Sequence, residues 1–71
     1  MRWTKVVSSH IDNVSYDRKT ELLFIEFDNG SVYLYKGVPR RVYKKLLKAP
    51  SKGFYFGQEI RNEYECIKVV D

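Results

Sequence analysis

The chain has 71 residues, with 13 Lys and Arg against 9 Asp and Glu, one Cys, one His and a formal net charge of +4. That length allows a single domain, expected to span 1–71. A core so small rarely yields more than about 3 to 5 kcal/mol, so its apolar and aromatic positions are structural unless something argues otherwise. A lone cysteine, Cys66, excludes an internal disulfide and points to a reducing compartment, and with His10 it falls short of the four ligands of a structural zinc site. No metal and no cofactor is expected.

The N-terminal segment has only Val6-Val7 as an apolar run before Ser8-Ser9-His10, too short for a secretory signal. No stretch approaches the ~20 apolar residues of a membrane span, so a soluble, cytoplasmic protein is expected. The charge is regional. Residues 36–61 hold Lys36, Arg40, Arg41, Lys44, Lys45, Lys48, Lys52 and Arg61 against Glu59 alone, a net +7, while the remainder carries −3.

In chain order, the first β-forming segment lies near Asn13-Val14-Ser15-Tyr16-Asp17 and is closed by turn-formers through Thr20. The run Glu21 to Phe27 is dense in β-formers, and a second run, Ser31 to Lys36, follows Asp28-Asn29-Gly30. Asn-Gly between two such runs predicts a tight hairpin, with a type I′ turn as the favoured form. Together the segments make an antiparallel meander of three to four strands. Pro39 is suited to a first helical turn, and a helix is predicted over about 39–48. At 100° per residue Val42, Tyr43, Leu46 and Leu47 fall on one side, opposite Arg40, Arg41, Lys44, Lys45 and Lys48. Ala49-Pro50 ends it. Ser51 is placed to cap a second, shorter helix over about 51–61, and Glu65 to Val70 reads as a returning edge strand. The fold class is α+β.

The order and spacing of several fragments resemble the KTSC domain family over roughly residues 8–65. They are Ser8-Ser9 with Ile11, Tyr16-Asp17, Phe27 with Gly30, Tyr33 and Tyr35, Val38-Pro39 and Val42-Tyr43. Ala49 with Ser51 and Gly53, Tyr55-Phe56, Ile60-Arg61 and Tyr64 complete the pattern. The resemblance implies a domain of the kind found at the C-terminus of some lysyl-tRNA synthetases and in small stand-alone bacterial and phage proteins. RNA binding is suggested for that family, and the resemblance brings no catalytic residues.

The residues themselves point the same way. Lys and Arg bind phosphates through charge and counterion release without special geometry, so the basic helix face, flanked by Lys36, Lys52 and Arg61, is the leading candidate site. The plain alternative is a solvated face that keeps the protein soluble. Against it, like charges at i and i+4, such as Arg40 with Lys44 and Arg41 with Lys45, repel without an intervening acid. Tyr33, Tyr35 and Tyr55 are candidate stacking residues for exposed bases. Tyr33 and Tyr35 must share one strand face, and in so short a chain the favoured reading has a helix covering that face. Ser51 and Gly53 are a candidate phosphate-binding helix start, with a plain capping turn as the simpler reading. A Cys66–His10 nucleophilic pair has little in its favour, since a lone cysteine in a strand is usually a small buried hydrophobe. The expected function is therefore a non-catalytic module that binds nucleic acid, RNA or single strands first. The alternatives are a small interaction or inhibitor protein docking its basic helix on an acidic protein, and a binder of small anionic ligands or nucleotides. No membrane partner is expected, and the oligomeric state is open.

Overall fold

Apolar residues sit at successive positions in Leu22-Leu23-Phe24-Ile25, so alternation alone does not say which side of that strand faces a core. The strand register in the computed structural model, which describes residues 2–70, resolves this. The expected domain limits 1 and 71, like the side chain of Val70, lie outside the described residues. Five antiparallel strands stand in the order β1-β2-β3-β4-β5: β1 Thr4–Lys5, β2 Ile11–Asp17, β3 Leu22–Phe27, β4 Val32–Lys36 and β5 Glu65–Val70. Between β4 and β5 the chain forms α1, Arg40–Lys48, and α2, Lys52–Glu59. The sheet has one strand more than the three or four expected. The addition is β1, whose two residues pair Thr4 with Val14 and Lys5 with Asn13 and are too few to show any alternation.

Cross-strand partners share a face. Tyr16, Leu23, Tyr35 and Cys66 form one row, and Val14, Ile25, Tyr33 and Lys68 the next. Both helices pack on this face. Val14, Leu23, Ile25, Leu46 of α1 and Ile60 just after α2 are completely shielded from solvent, with Tyr35 and Phe56 nearly so. Tyr16 stacks on Tyr43 of α1, ring centroids 4.7 Å apart, and donates its hydroxyl to the Val38 carbonyl at 2.6 Å. The Val38 amide in turn donates to the Glu21 carbonyl, so the β4–α1 junction is held at both its donor and its acceptor. Tyr33 and Tyr35 thus lie beneath the helices, and Val32 and Leu34 point to the other side of the sheet. The result is a two-layer α+β domain.

The turn at Asn29-Gly30 forms, but not as type I′. The Gly30 amide donates to the Phe27 carbonyl at 2.9 Å and the Phe27 amide to the Ser31 carbonyl at 2.9 Å. Gly30 has φ +88°, while Asn29 is not left-handed, since Glu21 is the only described non-glycine residue with positive φ. This is a three-residue loop closed by a left-handed glycine. Asn29 takes a different part: its Oδ1 accepts from both the amide and the hydroxyl of Ser31.

Both helices begin one residue later than predicted. Pro39 serves as the N-cap of α1 rather than its first turn, with φ −65° and no side-chain cap. Ser51 caps α2, its hydroxyl accepting from the Phe54 amide at 3.3 Å, and that helix ends at Glu59, two residues early, with Ile60 as C-cap.

Candidate nucleic-acid interface on helix α1

Leu46 is the buried anchor of α1, and Val42, Tyr43 and Leu47 are half-buried around it. That anchoring fixes the rotation of the helix. Arg40, Arg41, Lys44, Lys45 and Lys48 are consequently all exposed. Among the described residues the close charge contacts are His10 Nδ1 with Asp28 Oδ2 at 3.7 Å and Lys36 Nζ with Glu65 Oε2 at 3.9 Å, so none of the five helix cations is paired with a carboxylate. The first turn of α1 contains no acid. Cations at a helix N-terminus oppose the helix dipole by roughly 0.3 to 1 kcal/mol, and the i, i+4 repulsions add to that. Only Lys45 and Lys48, in the last turn, suit the dipole. This face is therefore not arranged for the benefit of the helix.

Two aromatic side chains mark the margins of α1. The Tyr16 hydroxyl is pushed above its ordinary pKa by burial and then by Glu21, with Arg40 acting the other way. Tyr55 on α2 is raised by burial, Glu59 and Tyr64, with Arg41 opposing. Tyr55 itself is half-buried against the core.

The other predicted site residues do not join this face. Lys36 shares the parity of Leu34, so it emerges on the far side of the sheet and meets Glu65. Lys52 is half-buried and donates to the Ala49 carbonyl at 3.0 Å, which occupies it at the C-terminus of α1. Arg61 is exposed just beyond α2, at a cleft against β4. Tyr35, 3% exposed, is unavailable for stacking because the helices cover its face, and Tyr33 is half-buried with the Lys68 ammonium 5.8 Å from its ring centroid. The Ser51 hydroxyl is engaged as a cap. At Gly53 an added Cβ would meet only Ser8 Oγ at 4.0 Å, so the fold itself does not demand glycine there.

One exposed aromatic escaped the sequence reading. Phe54, 69% exposed, stands on the outer side of α2 just after the Ala49-Pro50 junction with α1. The signal was present: with Ser51 as cap and Phe56 and Ile60 inward at i and i+4, position 54 falls about 200° away from 56. Among the described residues no three His, Cys, Asp or Glu side chains gather as metal ligands, and no helix is long and apolar enough to cross a membrane. Cys66 is exposed rather than buried; it lies across from Tyr35 in the sheet, while His10 sits against Asp28.

Compared with known proteins, residues 7–64 match the KTSC domain. The chain belongs to the KTSC domain family. Among solved structures, a KTSC domain protein of Yersinia pestis superposes with a TM-score of 0.90 at 35% identity, covering 96% of each chain. A lysine–tRNA ligase of Nostoc punctiforme is 46% identical over 61 residues, 86% of this chain but 11% of the ligase. A Stutzerimonas stutzeri protein of similar length is 33% identical over 64 residues, 90% of each. The KTSC domain thus spans about a tenth of the ligase it matches, and about the whole of the other two proteins.

Proposed function

We propose that this KTSC domain is a non-catalytic cytoplasmic binding module for nucleic acid, single-stranded RNA first, and that α1 is its contact surface. The observation that carries the reading is the set of five exposed, carboxylate-free cations on one helix, held outward by Leu46. Phosphates would supply the counter-charge that the fold does not, and Phe54 on α2 offers an exposed ring for a base. The likeness to a segment of a lysine–tRNA ligase, an enzyme named for an RNA substrate, supports RNA over DNA.

The test is fluorescence anisotropy with a short labelled RNA across a salt series. Five phosphate contacts at about 0.7 each predict a log–log slope near −3.5. Replacing Arg41→Glu together with Lys45→Glu should abolish binding while leaving the melting temperature nearly unchanged, because both side chains are solvent-facing. Absence of binding at low salt overturns the proposal. Recovery of an acidic protein partner that survives nuclease treatment, with no affinity for RNA, would assign α1 to protein docking instead.

A further inference from the structure

A second candidate site lies away from α1, where the end of α2 overhangs β4. The cleft has a volume of about 390 Å³, within the range of about 300 to 1,000 Å³ usual for small-ligand sites. Its wall is aromatic. Phe27 meets Tyr33 and Phe56 edge-on at 5.6 and 5.5 Å, and Phe56 meets Tyr35 in the same manner at 5.5 Å. Edge-to-face pairs of this kind are the favoured aromatic geometry and add to the burial energy of the rings.

The two ends of the cleft differ in charge. At one end is the β3–β4 turn with Asp28, one of whose carboxylate oxygens lies 3.7 Å from His10 Nδ1, and Asn29, whose Oδ1 is already used by Ser31. At the other end Arg61 lines the cleft together with Tyr35 and its cross-strand partner Cys66. Ser31, just before β4, and Tyr35 within it are four residues apart along an extended backbone, so the ends are about 13 Å apart. Arg61 is exposed and has no carboxylate partner among the described residues. A carboxylate at the turn repels an anion and accepts hydrogen bonds from amino groups. The guanidinium at the other end attracts an anion and can bind it through two parallel N–H donors.

We propose that this cleft binds a nucleoside monophosphate, with the base against the half-buried rings of Phe27 and Tyr33, its amino edge toward Asp28 and its phosphate on Arg61. The ligand's polarity follows from the charge order along the cleft. The site is separate from α1 and does not depend on the reading given for that helix.

Cys66 lines the cleft, is exposed and is the only cysteine in the chain, which makes it a built-in reporter. Its alkylation by neutral iodoacetamide is followed by mass spectrometry, with the four common nucleoside 5′-monophosphates, their nucleosides and inorganic phosphate as probes. At least one monophosphate should slow the reaction, about tenfold once its concentration exceeds Kd roughly tenfold. The matching nucleoside and phosphate alone should protect much less. Arg61→Gln should weaken protection by about tenfold or more, the usual consequence of losing a charge-assisted contact. The α1 double variant Arg41→Glu, Lys45→Glu should keep it in full. No protection by any monophosphate overturns the proposal, as does equal protection in the Arg61→Gln protein or equal protection by inorganic phosphate. Loss of RNA affinity in the α1 variant with intact Cys66 protection separates the two sites.

Discussion

The two faces of the sheet are built from the same strands and nearly the same kinds of side chain, yet they have opposite fates. On the helix-covered face Val14, Leu23 and Ile25 have no solvent exposure. One position along, Phe24 and Leu34 remain half-buried, Ile67 and Val69 are 43% and 50% exposed, and Trp3 leans edge-on against Phe24 at 6.3 Å. Hydrophobicity does not distinguish the faces. What does is the pair of helices between β4 and β5, which cover one side and turn the tyrosines of β4 from candidate surface residues into core. The proposed contact surfaces then lie outward, on the far side of α1 and at the cleft at the end of α2.

The sharpest way to break this contrast is a matched pair of truncations. Leu23→Ala should cost about 2 to 5 kcal/mol in urea unfolding, and Leu34→Ala, one face away, markedly less. Equal losses would mean that the two faces contribute alike. Tyr16→Phe comes next, since it leaves the Val38 carbonyl without its 2.6 Å donor and should cost about 1 to 3 kcal/mol. Ser51→Ala removes the α2 cap and should cost about 1 kcal/mol, read as a lower thermal midpoint. The smallest effect is absent at neutral pH. Burial, followed by the contact with Cys66, raises the Tyr35 pKa well above its ordinary 10.0. Above that pH the unfolded chain releases a proton that the folded one keeps, so stability is intact below pH 10 and falls as pH rises beyond it. Tyr35→Phe should shallow that alkaline decline in pH-dependent unfolding, and an unchanged slope would place the Tyr35 hydroxyl in water.

Much of the architecture was legible. Ser51 announced its cap, Ala49-Pro50 the break between helices, and the spacing of Val42, Tyr43, Leu46 and Leu47 the rotation of α1, because each rests on local backbone or periodic physics. What was not legible is relational. The +7 segment reads as one patch in sequence, but Lys36 belongs to a strand whose parity sends it through the sheet to Glu65, and Lys52 folds back to the Ala49 carbonyl. Neither contact has a signature at short range. The hairpin glycine was evident, while its turn type was not: Asn29 uses its side chain to bind Ser31, an alternative to the left-handed backbone that a dipeptide rule assumes. The cleft brings together residues from both ends of β4, the tail of α2 and β5, and no single stretch of chain contains it.

The strand order carries a consequence for how the molecule assembles. Neighbours in the sheet are neighbours in the chain, and only the β4–β5 pair closes over both helices. The β2–β4 meander can therefore form as soon as residue 36 is available, with β5 added last. Lengthening the β4–β5 connection would cost little, about 0.6 kcal/mol per doubling. The same strand is an outer edge with only β4 beside it, so the amides of Glu65–Val70 should exchange before those of the central β3.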